Sequence, residues 1–171
     1  MARNRPRISA RPLPPHSLLA QHTKARATDY TDCFTIDLSG KITLPAFITA
    51  FYNSPAFRPE RWALHLIGKG SGAQDVASLA AAQITDFAAW SVVARTESEI
   101  LLQDFQHRTC SWLMVEPLAT TAPTIMGRTR ILFGSSVRNP GSPVFRALMP
   151  VHRWYAHRLL GSAAKALGRT S

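Results

Sequence analysis

Between Ala88 and Val137 the chain passes through four β-patterned segments with no helical stretch among them, and that succession limits the fold more than any other feature. Residues 90–94 are rich in β-formers, residues 99–105 are largely apolar, residues 110–115 are apolar on both faces, and residues 128–137 follow. The linking segments 95–98, 106–109 and 116–127 are polar or rich in Pro, Thr and Gly, as hairpin connections are. The third is long enough for a flexible flap. Parallel strands need crossover helices, so strands in direct succession predict an antiparallel sheet and an α+β fold.

Upstream, Phe34, Ile36 and Leu38 alternate with Thr35 and Asp37, the period of a half-buried strand. Ser39, Gly40 and Lys41 supply a turn. Thr43 then reads as a helix N-cap with Pro45 in the first turn, and Phe47, Ile48, Phe51 and Tyr52 follow at helical spacing. Pro55 stops that helix. Residues 58–61 open a second short one, which the glycines at 68, 70 and 72 break. That Gly-rich stretch lacks the spacing of a phosphate-binding loop and reads as a mobile connection.

Residues 139–143 end the sheet, and a helical region runs from there to about Leu167. At about 100° per residue, Val151, Tyr155, Ala156, Leu159, Ala163, Ala166 and Leu167 fall on one half of the wheel. Arg153, His157, Arg158 and Lys165 fall on the other, so the helix is amphipathic with a basic outer face. His152 breaks the division by projecting at the middle of the apolar half. An imidazole there must be hydrogen-bonded or lose its charge. Pro150 predicts a kink, with residues 144–149 as a separate first segment. The expected architecture is a curved antiparallel sheet wrapped around a long C-terminal helix, with two short helices after the first strand.

A chain of 171 residues, 46% apolar, can bury a real core, and no run approaches the roughly 20 apolar residues of a membrane span. The formal charge of +10 is unevenly spread. Residues 1–30 carry six basic side chains and one acidic, residues 31–110 six and eight, and residues 111–171 eight and one. Arg3, Arg5, Arg7 and Arg11 alternate with Pro6, Pro12, Pro14 and Pro15, so residues 1–28 read as a disordered basic tail and residues 29–168 as one domain. No apolar secretory stretch is visible, and a cytoplasmic location is expected. Cys33 and Cys110 are the only cysteines; they define neither a disulfide framework nor a zinc site and read as buried hydrophobes on strands.

Residues 29–34 (DYTDCF) at the start and 150–155 (PVHRWY) at the end resemble an uncharacterised bacterial family. Residues 99–102 leading into His107, Arg108 and Thr109 resemble its middle strand and the turn after it. The resemblance implies a START-like, polyketide-cyclase-like helix-grip fold with a cavity between sheet and helix. It implies no particular activity, and it draws attention to His107 and His152.

Conventional catalytic signatures are missing: there is no Gly-x-Ser-x-Gly elbow, no His-Glu-x-x-His and no phosphate loop. Three functions stay open. The first is a binding module, in which Trp90, Trp112, Met114, Phe133, Tyr155 and Leu159 line a cavity for a small apolar or amphipathic molecule. His152 or Arg130 would fix its polar end. The second is an enzyme in the same cavity, with His152 as catalytic acid/base on a carbonyl-containing substrate; this reading requires a carboxylate or hydroxyl within hydrogen-bond reach of the ring. The third is nucleic-acid or anionic-surface binding through the tail and the basic helix face. No metal or cofactor is expected, and nucleic acid is not the favoured partner.

Overall fold

In the computed structural model, residues 7–26, 29–66, 68–119, 127–138, 140–141 and 143–169 are described. Seven antiparallel strands form one sheet in the order β1-β2-β7-β6-β5-β4-β3. They are β1 (Ser9–Ala10), β2 (Tyr30–Ser39), β3 (Asp86–Phe87), β4 (Trp90–Arg95), β5 (Glu99–Asp104), β6 (Thr109–Leu118) and β7 (Arg128–Val137). The hairpin succession β4-β5-β6-β7 follows the predicted segments closely, and β2 closes against β7 with Asp32 opposite Ser135. Part of the connection between β6 and β7, read above as a flap, lies outside the described residues.

Helices α2 (Leu44–Tyr52) and α3 (Arg58–Leu66) follow β2 as expected. Thr43 caps α2, its hydroxyl accepting from the Ala46 amide. The turn before it is pinned by Thr129, whose hydroxyl donates to the Gly40 carbonyl at 2.8 Å and accepts from the Ile42 amide at 3.0 Å. Gly40 adopts φ 92°, which a side chain would resist. Helix α4 (Ala73–Ala80) has no counterpart in the sequence reading. The Arg95 guanidinium donates to the carbonyls of Leu79 and Ala80, completing the α4 C-terminus from the neighbouring strand.

The last helix, α5 (Pro143–Leu167), is continuous, so Pro150 does not divide it. The proline itself is exposed. Ala156, Leu159, Leu160, Ala163, Ala164 and Leu167 are buried against Phe34, Phe47, Phe51 and Phe133. The wheel fails at two places. Val151 is 59% exposed, and its neighbours Leu148 and Trp154 are 56% and 61% exposed. His157 stands edge-on to Phe34 at 4.4 Å rather than in open solvent.

The largest departure lies in residues 7–26. Their proline and arginine density predicts irregular chain, yet Ser9–Ala10 pairs with β2 and Leu18–Thr23 forms a helix, α1. Leu19 supplies the physical reason. It is fully buried with Cys33, Leu101, Cys110, Trp112 and Leu132, a second core on the outer face of the sheet. The Glu99 carboxylate joins the layers, accepting from the Trp112 indole at 2.7 Å and from the Leu18 amide at 2.9 Å. Gly134 lies beneath; a Cβ there would come within 2.9 Å of the Trp112 ring and 3.1 Å of Leu19. Cys33 and Cys110 are buried free thiols in this layer, as expected.

Candidate functional site

Strand pairing places Asp32, Ser135 and Ser111 side by side in one transverse row across β2, β7 and β6. Their parity with Phe34 and Phe133 puts them on the inner face, at the end where α5 crosses. Asp32 is held from several sides: its Oδ1 accepts from the Ser135 amide at 2.9 Å and hydroxyl at 2.7 Å, and its Oδ2 from the Tyr30 hydroxyl at 3.2 Å. His152 Nε2 completes the set, 3.1 Å from Asp32 Oδ2 and 2.9 Å from Ser135 Oγ. A carboxylate only accepts, and the single Ser135 hydroxyl proton points to Asp32. The network therefore assigns a proton to Nε2 and leaves Nδ1 as the ring atom whose protonation can change. The Asp32 side chain is 7% exposed and that of His152 is 32%, so the imidazole is the part that water reaches.

One turn further along α5, the Tyr155 hydroxyl donates to Glu60 Oε2 on α3 at 2.9 Å. Burial holds the Glu60 carboxyl above the ordinary carboxylate range, with the Tyr155 bond opposing, and burial likewise raises Tyr155. The Tyr52 phenol, fully buried, is also pushed up by burial. Ser111 is close enough to oppose that shift without meeting hydrogen-bond geometry, and the phenol oxygen has no partner among the described residues.

These groups border a cavity of about 240 Å³ between the sheet, α2, α3 and α5. One wall is a chain of ring contacts: Phe133 to Phe51 at 4.9 Å, Phe51 to Tyr52 at 5.2 Å and Tyr52 to Phe57 at 5.1 Å. Trp90 from β4 and Tyr155 from α5 also line it. The space is below the roughly 300 Å³ at which drug-sized sites begin, although about 150 Å³ suffices for benzene.

Of the residues expected to meet a ligand, Trp90, Phe133, His152, Tyr155 and Leu159 border this cavity. Trp112, Met114 and Arg130 do not; they lie on the opposite face. Trp112 and Met114 belong to the layer under α1. Arg130 makes a two-point ion pair with Asp37, at 2.7 and 2.9 Å, and approaches Glu116 at 3.6 Å. His107 sits in an exposed turn at φ 55°, bonded to Gln103. Asp32, Glu60, Tyr52 and Ser135 were not among the site residues expected from the sequence. Asp32 lay two residues before a clear alternating strand, on the parity of Phe34, and that was the available signal.

The raised Glu60 pKa has a definite linkage. The folded state binds this proton more tightly than the unfolded chain, so the contribution is favourable below about pH 4.3. It is lost as pH rises through the folded value. Urea midpoints between about pH 4 and 7 should fall less steeply for Glu60→Gln than for the unaltered chain. Equal slopes would contradict this assignment. Asp37, depressed chiefly by its Arg130 hydrogen bonds, contributes with the opposite sign, losing stability as pH falls through its folded value.

Among the described residues no group of three or more His, Cys, Asp or Glu side chains is placed to hold a metal ion, and no described helix is long and apolar enough to cross a membrane. No family model, curated protein or solved structure matches the chain, so what stands is a helix-grip-like α+β fold: an antiparallel sheet with a long C-terminal helix packed on it.

Proposed function

We propose that the chain is a helix-grip binding module for a small apolar or amphipathic molecule, held between the sheet and α5. The observation that carries this reading is the cavity itself: an aromatic lining joined by His152 and Tyr155 from α5, Ser135 from β7 and Glu60 from α3. Apolar lining with a few convergent polar groups is the usual composition of a small-molecule site. Its size favours a ligand with one ring over a long acyl chain. Native mass spectrometry of the purified protein against a fragment library is the test. It should find a bound small molecule, retained about tenfold less well by His152→Ala, the loss of one hydrogen bond. A chain that takes up no fragment would overturn the proposal.

The enzyme reading keeps support from one observation. An acid/base His152 requires a carboxylate or a hydroxyl within hydrogen-bond reach, and one of each, from Asp32 and Ser135, lies within 3.1 Å of Nε2. Asp32 would orient the ring and stabilise its charged form, leaving Nδ1 to exchange a proton. Prolonged incubation with the fragment found above separates the readings, since a change in its mass favours the enzyme and its recovery intact favours the module.

A further inference from the structure

We infer that the ligand is a small cationic amine, an arylalkylammonium compound seated against the ring wall with its nitrogen toward Glu60. The inference rests on the cavity being a binding site and adds the charge and class of what binds.

The lining decides the sign. No described residue bordering the cavity is a lysine or arginine, while Glu60 borders it. His152 is the one lining group able to become positive, and Asp32 touches its Nε2, so the two together reach neutrality at most. Arg130, the cation that would have received a carboxylate, is turned to the other face and occupied by Asp37. An anionic ligand would enter this space without a lysine or arginine partner from the lining, and leaving water unpaired is costly for a charge. The neighbouring Arg58 and Arg153 are exposed, and at physiological ionic strength fields from exposed charges decay over about 8 Å. The +10 of the chain as a whole therefore does not set the potential inside.

The remaining features suit an ammonium group specifically. Faces of Trp, Tyr and Phe attract cations, most strongly where water is excluded. Phe51, Tyr52, Phe57, Trp90, Phe133 and Tyr155 all border the cavity. The Tyr52 phenol oxygen is enclosed by protein, with Ser111 as the near polar group, so a ligand N–H would reach it only if the Tyr52 side chain shifted toward the cavity. The ligand cation would also favour the ionised form of Glu60, offsetting the effect of burial on that carboxyl.

The test is a matched series of one-ring ligands titrated calorimetrically into the full chain at physiological salt: phenethylamine, 2-phenylethanol and 3-phenylpropanoate. Phenethylamine should bind at least about tenfold more tightly than the alcohol, in line with a desolvated cation over aromatic faces, and 3-phenylpropanoate should not bind measurably. Glu60→Gln should erase the preference for the amine over the alcohol. Equal binding of amine and alcohol, or tighter binding of the acid, would overturn the amine assignment and leave the binding module standing. Failure of all three would overturn both. An amine preference that survives Glu60→Gln would remove Glu60 as its source and overturn the seating. The series runs on the unaltered chain, so it decides the charge even if the variant does not fold.

Discussion

Replacing Trp112 by alanine should lower stability by about 3–5 kcal/mol and leave the cavity lining intact. The side chain is fully buried on the outer face of the sheet, among Leu19, Cys33, Leu101 and Leu132. Removing it opens a void directly beneath α1 and above Gly134, whose lack of a side chain is what lets the indole approach. It also strips one donor from the Glu99 carboxylate, which is buried and keeps the Leu18 amide. Trp112→Phe separates the two contributions. It retains much of the packing and loses only the indole N–H, so a smaller cost of about 1–3 kcal/mol is expected. Urea unfolding measures both. A Trp112→Phe variant of unchanged stability but altered ligand binding would place this tryptophan at the ligand after all.

Asp32→Ala carries the second large effect, on the order of 3 kcal/mol, because it removes the shared acceptor of a buried network. The Ser135 amide and hydroxyl, the Tyr30 hydroxyl and His152 Nε2 all converge on this one carboxylate. The amide cannot turn away to water without breaking the β2–β7 register in which Asp32 faces Ser135. Asp32→Asn restores a neutral acceptor for that amide and should recover part of the loss. It carries no charge, so the asparagine variant should fall between the unaltered chain and the alanine variant in urea unfolding. An alanine variant as stable as the original would mean that the network contributes nothing net.

The fold was readable because its determinants are local and periodic. Alternation at Phe34, Ile36 and Leu38, Thr43 with Pro45, and the uninterrupted strand succession each admit one assignment, and antiparallel topology follows from their order. The outer layer was not readable, and one error carried into the site. With residues 1–28 taken as a disordered tail, nothing was assigned to cover the outer face of the sheet, and Trp112 was placed in the cavity lining. Leu19 covers that face instead. A pair of leucines in a six-residue helix carries no clear periodic signal, and the docking of that helix depends on a contact between the Leu18 amide and Glu99 across 81 residues of sequence.

Parity within strands held more than was taken from it. Phe133 and Arg130 differ by an odd number of positions and cannot share a face on a regular strand; Ile131, Phe133 and Ser135 line the inside, and Arg130 pairs outside. Glu60 and Tyr52 belong to short helices whose angle to the sheet no local pattern specifies. His152 was visible as a misfit on its wheel, whereas its partners Asp32 and Ser135 became neighbours only through strand register.

The most direct measurement of the central claim, a ligand cavity between the inner face and α5, is crystallographic: crystals soaked with one-ring fragments, phenethylamine among them. The account predicts fragment density against Phe51, Trp90 and Phe133, with its polar end toward Glu60 or His152. Density confined to the outer face beside Trp112, Met114 or Arg130, with the inner cavity unchanged, would contradict it.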